Sequence, residues 1–177
     1  MPTMYYIPIV LMLIFLSLVT VQQGTVAITT IFGKYNRTLY PGLSFRVPFV
    51  EQIFKRISIQ NRAVELNFQA VTVDQANVHF TSLLLFSVMD NAEETVKKVA
   101  FRFVGDRDFM ASLTRTVEGS IRSFVATKKQ QEVLLLRREI TDAVKVNIDH
   151  MLEDWGFHLI DLQINDCLLY TSDAADE

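Results

Sequence analysis

Residues 78–101 read VHFTSLLLFSVMDNAEETVKKVAF, and the period of the apolar positions changes once along the way. Val78, Phe80, Ser82, Leu84, Phe86 and Val88 recur at every second residue, as one face of a β-strand does. Leu83 and Leu85 add apolar residues to the opposite face, so this strand is expected to be central, with both faces covered at its middle. After Met89 the spacing lengthens. Asn91 and Glu94 stand three residues apart, a capping-box spacing, and open a helix through Val96, Val99 and Phe103.

Working back towards the N-terminus, the signals are those of strands. Ala70 to Asp74 is short and is broken by Gln75-Ala76-Asn77. Val64, Leu66 and Phe68 share one face, with Glu65 and Asn67 on the other. Ile53, Lys55, Ile57 and Ile59 alternate less cleanly, and Phe45, Val47 and Phe49 alternate before them. Tyr40-Pro41-Gly42-Leu43 is a tight turn, and Gly33-Lys34 with Asn36 supplies another. Thr25 to Phe32 is β-branched and strand-like. Working forward, Gly105-Asp106 interrupts the first helix. Phe109, Leu113, Val117, Ile121 and Phe124 then recur every three or four residues as a second, ended by Thr127-Lys128-Lys129. Val133, Leu136, Ile140, Val144, Ile148, Met151 and Trp155 give a third helix of about 24 residues, stopped by Gly156. A closing strand follows from Phe157. Strands, then helices, then one strand is an α+β arrangement.

The composition describes two objects. Of 177 residues half are hydrophobic and the mean hydropathy is +0.22, yet no side chain before Lys34 is charged. The rest carries an ordinary globular charge density. The content of Phe, Val, Leu and Ile excludes a disordered chain, and one cysteine excludes a disulfide scaffold. A polybasic nucleic-acid binder is excluded by 17 basic against 20 acidic residues.

The uncharged leader contains Tyr5 to Val21, YYIPIVLMLIFLSLVTV. That run is near the lower limit for a spanning helix of roughly 17 residues, and its uncharged neighbours can extend it. The expectation is a single-pass anchor over 1–24, with Tyr5 and Tyr6 at the interface and Leu11, Ile14, Phe15 and Leu18 facing lipid. A cleaved signal peptide would need a basic start and a small-residue cleavage site, and neither is present. Lys34, Arg37, Arg46, Lys55, Arg56 and Arg62 against Glu51 alone give a basic flank, which favours a cytoplasmic domain after the anchor.

At the other end, Cys167 to Glu177 (CLLYTSDAADE) resembles the conceptual translation of a transposase sequencing adapter. Residues 167–177 are therefore expected to be read-through and the natural sequence to continue past Asp166. The net charge of −3 comes wholly from Asp173, Asp176 and Glu177 in that tail.

Four segments carry a family resemblance. Gly33 with Leu39-Tyr40-Pro41-Gly42-Leu43-Ser44-Phe45-Arg46-Val47-Pro48-Phe49 is similar to the "PGL.F.iPf" segment of stomatin, prohibitin and flotillin relatives, the SPFH or band 7 domain. Gln69-Ala70-Val71-Thr72-Val73-Asp74-Gln75-Ala76-Asn77-Val78 resembles the family's "Q.v.TkDnv.v", with two residues lengthening its Asp-Asn pair. Arg137-Arg138-Glu139-Ile140 and Asp154-Trp155-Gly156-Phe157 follow in order. The family's long coiled coil after the domain is absent, where the chain meets the tail.

The resemblance implies a twisted, mostly antiparallel sheet packed with helices over 25–166, strand-rich to residue 90 and helix-rich after it. It also implies a membrane-anchored scaffold, without catalytic residues or cofactor. Such a scaffold assembles laterally, as a homo-oligomer or with a related subunit, to organise a patch of bilayer. The alternative is a non-catalytic regulatory subunit of a membrane protease.

The residues themselves offer little for catalysis. His79, His150 and His158 have no metal-ligand spacing with cysteine or paired carboxylates, and no nucleophile motif or phosphate loop occurs. Glu153-Asp154 and Glu93-Glu94 are neighbours on helices and do not share a face. Two stretches invite a functional reading. Phe45, Phe49 and Phe54 with Lys55 and Arg56 combine apolar and basic residues, as a segment dipping into an anionic membrane interface would. Ordinary hydrophobic core is the competing explanation. Arg115, Arg122, Arg137, Arg138 and Glu139 are expected to pair with charges on a neighbouring subunit, against the alternative of a solvated face worth little.

Overall fold

The structure is a computed structural model and describes residues 7, 11–12, 14–135 and 137–169, with the side chains of 134, 137 and 165–169 left aside. The chain divides into two compact units that interleave along the sequence, residues 1–60 with 90–102, and 61–89 with 103–177.

In the first unit the described residues do not form the expected spanning helix. Among the described residues no helix is long and apolar enough to cross a membrane. Leu11, Met12 and residues 14–17 are helical, and at Leu18 the chain becomes strand β1 (Leu18–Val21). Leu18 pairs with Phe45 and Val21 with Gly42 of strand β4 (Gly42–Phe45), antiparallel. The physical reason is local. Val19, Thr20 and Val21 are β-branched and suit a pleated surface, and Val19 and Val21 are buried while Thr20 is exposed, a period of two rather than 3.6. The Arg46 N–H donates to the Ser17 carbonyl at 2.8 Å and extends the pairing by one step. Of the expected lipid-facing residues, Leu11, Ile14 and Phe15 are helical and exposed. Leu18 belongs to β1, and Tyr5 and Tyr6 lie outside the described residues.

The main sheet of this unit runs β3–β2–β5, with β2 (Thr25–Ile31) between β3 (Lys34–Leu39) and β5 (Glu51–Ser58). Asn36, expected in the turn, is a strand residue; Phe32 and Gly33 make the turn instead. β2 is buried from Val26 to Thr30, as the middle strand of a sheet covered on both sides. Val21, Ala27 and Leu39 form a core cluster with Ile53 packed against it. Helix α1 (Glu93–Arg102) packs on the same sheet through Val96, Val99 and Ala100. Just before it Asp90 Oδ1 accepts the Ala92 N–H at 3.0 Å, and the Ala92 carbonyl accepts the Val96 N–H at 3.0 Å, so the chain enters the helix at Ala92 and not at the expected Asn91. The Phe101 ring stacks on Phe54 at 5.0 Å, and Lys97 Nζ lies 4.0 Å from the centre of the Tyr35 ring.

The second unit holds an antiparallel sheet β6–β7–β8, made of Arg62–Val71, Asn77–Val88 and Phe157–Leu169. β7 is central, as its pattern indicates. Its Val78-to-Val88 face is buried, and the opposite face is half-buried. The Leu85–Phe86 step pairs with Asp161 and Leu159, leaving Ile160 without a partner. This bulge reverses the parity of β8, so Phe157 and Leu159 share buried status with Leu162 and Ile164.

Helix α2 (Asp106–Val125) buries Phe109, Leu113, Val117, Ile121 and Val125, a stripe at four-residue spacing. The expected third helix is described as two segments, α3 (Gln130–Leu135) and α4 (Arg137–Trp155). α4 buries Ile140, Val144, Ile148 and Leu152; Met151 is only half-buried. Phe86, Phe103, Phe109, Trp155 and Phe157 make one aromatic cluster, with neighbouring ring centres 4.6 to 6.0 Å apart.

Candidate functional site

The feature of the first unit that local packing alone does not require is a buried carboxylate. Glu51, at the start of β5, is 2 % exposed. Burial of a lone carboxylate is costly, so its partners must satisfy it. Arg37 of β3 donates through Nε at 2.9 Å to Oε1 and through Nη2 at 3.1 Å to Oε2, a two-pronged pair. Asn36 Nδ2 donates at 3.0 Å and the Val47 N–H at 3.2 Å. The Arg37 hydrogen bond is the main reason the carboxyl is held down at about 2, against the opposing effect of burial.

Those same groups hold the segment that joins β4 to β5. Arg37 Nη2 also donates to the Phe45 carbonyl, and the Glu51 N–H donates to the Val47 carbonyl at 3.0 Å. The backbone is thus held at Phe45 and Val47, while apolar side chains of β4 and of the segment are exposed. Leu43, Phe45 and Val47 are exposed, and Phe49 is 82 % exposed. Phe49 also has φ of 69°, the left-handed region that a bulky side chain adopts only at a cost.

The five residues expected at a membrane interface therefore separate. Phe45 and Phe49 sit on the braced edge. Phe54 is on β5, stacked on Phe101, with Lys55 half-buried and Arg56 exposed beside it. Glu51, Arg37 and Asn36 were missed by sequence reasoning. The available signal was a single acid inside an apolar run (PFVEQIF) otherwise flanked by basic residues.

The residues expected at subunit contacts lie on the helices of the second unit. Arg115 and Arg122 are exposed on α2, and Arg138 and Glu139 are exposed on α4; Arg137 opens α4. Arg122 is already engaged within the chain, with Glu118 one turn back and with the Gln69 carbonyl of β6 at 3.2 Å. In the family-like Thr72–Asp74 segment, the Thr72 hydroxyl donates to Asp74 Oδ1. Asp74 in turn accepts the Gln130 N–H at 3.2 Å, capping α3 from a distant turn. The fold also brings Asp149, Glu153 and His158 together, although their sequence spacing suggests no such group.

The geometry is that of an α+β domain presenting a braced apolar edge beside a buried carboxylate paired with a half-exposed arginine. The chain belongs to the SPFH domain / Band 7 family, whose profile matches residues 19–169. It is 24 % identical over 157 residues to an uncharacterised protein of Methanothermobacter thermautotrophicus, covering 88 % of this chain and 46 % of that one. An uncharacterised protein of Schizosaccharomyces pombe is 24 % identical over 147 residues, 82 % of this chain and 39 % of its own length. A stomatin-like protein of Caenorhabditis elegans is 24 % identical over 135 residues, 76 % of this chain and 39 % of its own. The chain thus spans less than half the length of these relatives. Family members are generally non-catalytic and typically membrane-associated.

Proposed function

We propose that this chain is the membrane-facing part of a non-catalytic scaffold that assembles laterally and organises the bilayer and proteins beneath it. The observation that carries the reading is the edge Leu43, Phe45, Val47 and Phe49, whose side chains are exposed while Arg37 and Glu51 hold the backbone at Phe45 and Val47. An apolar edge kept rigid in water costs solubility, and contact with a lipid interface offsets that cost. The exposed Arg56 on the following strand suits an anionic headgroup layer. Lateral assembly draws on family membership and on the exposed charged residues of α2 and α4. A regulatory role towards a membrane protease rests on the resemblance alone.

A tryptophan placed at the edge tests the reading. In a Trp155→Phe background, Phe49→Trp leaves one reporter in the chain. With phosphatidylserine-containing vesicles its emission should move to the blue and be quenched by brominated acyl chains. Emission that is identical with and without brominated vesicles, in a protein of native circular dichroism, would falsify the membrane-facing assignment.

A further inference from the structure

Asp149 and Glu153 stand four residues apart on α4 and so lie on one face of its last turns. Gly156, with φ of 89°, reverses the chain immediately after the helix. That reversal brings His158 of β8 back over the same face, 3.4 Å from Asp149 (Nδ1 to Oδ1). One donor atom from each of the three side chains lies within 4.8 Å of the other two. We propose that these residues form a binding site for a divalent transition-metal cation of the zinc class.

The chemistry and the distances agree. Two carboxylates and an imidazole are a donor set for zinc, and neither calcium nor magnesium favours an imidazole ligand. Zinc bonds of about 2.0–2.1 Å in a tetrahedron place neighbouring donors about 3.3–3.4 Å apart, which is the His158–Asp149 separation. Glu153 is exposed, and a change of rotamer would close the remaining distance. Asp149 is held for the purpose, because its Oδ1 also accepts the Leu159 N–H at 3.1 Å. Lys145, one turn earlier on α4, pairs with Asp161 at 3.4 Å and does not neutralise the acidic pair. Two acids at this helical spacing repel one another, and a shared cation removes the repulsion. Three protein ligands leave a fourth place for water. The bound ion would clamp the end of α4 to the start of β8, on either side of the turn that follows Trp155.

The test is a zinc titration of the untagged full chain in mild detergent, followed by calorimetry and by thermal unfolding. One saturable equivalent is expected, with an upward shift of the melting temperature that EDTA reverses. Glu153→Gln and His158→Gln should each weaken binding at least tenfold while keeping native circular dichroism. His150→Gln, on the exposed side of the same helix, should bind as the parent does. Absence of saturable binding overturns the proposal. So does affinity unchanged in both ligand variants, which would leave His158 and Asp149 as an ion pair only. Equal loss in His150→Gln overturns it too.

Discussion

Glu51 is buried but charged, and its charge depends on Arg37. Its folded value of about 2 lies below the ordinary 4.5, so the stabilisation is fully present above pH 4.5 and is lost as the pH falls through 2. Glu51→Gln should lower stability at neutral pH on the order of 2 kcal/mol. The gap to the parent should narrow as the pH is taken below 4.5, and urea denaturation across that range reads both effects. Phe49 poses the opposite case, strain without burial. Phe49→Ala keeps a side chain in the left-handed region, whereas Phe49→Gly releases it. The glycine variant should be the more stable by about 1 kcal/mol in urea, and a more stable alanine variant would remove the argument for strain.

At the scale of elements, β1 separates the strand from the anchor most directly. Val21 is 4 % exposed and belongs to the cluster of Ala27 and Leu39. Val21→Ala should therefore cost about 2 kcal/mol of domain stability, where a lipid-facing valine would cost the domain nothing. In α2, a Cβ at Gly119 meets nothing within 4 Å, and the residue lies inside the helix. Gly119→Ala should raise stability by about 1 kcal/mol, seen as a higher melting temperature. The elements that could be read from sequence were those with an alternating or helical period, β6, β7, α1, α2 and α4, together with β2 from its β-branched residues and β8 after the Gly156 stop. β1 was hidden because its alternation covers only four residues at the end of a long apolar run, too few to stand out from it, and its partner β4 lies far along the chain. The bulge at Ile160 was hidden for a related reason, since only the neighbouring strand defines a skipped pairing. Phe45 and Phe49 could be found as apolar residues near basic ones. The brace beneath them could not, because Arg37 and Glu51 meet only when β3 and β5 flank β2.

At the scale of the whole molecule, residues 34–166 carry equal numbers of basic and acidic side chains, so copies can approach without net repulsion. If α2 and α4 supply contacts between copies, Arg137→Glu with Arg138→Glu should reduce the size of the assembly in mass photometry. An unchanged distribution would move the contacts elsewhere. The interleaving of the two units has a different consequence, one of timing. The β3–β2–β5 sheet is complete at Ser58, but α1, which packs on it, is encoded only after the β6–β7 hairpin of the other unit. A ribosome adding about 5–20 residues per second needs roughly 2–9 s to deliver the chain from Ser58 to the end of α1 at Arg102. Throughout that interval the nascent sheet lacks its helix, and its apolar face is open to whatever chaperone or lipid surface stands nearest the exit tunnel.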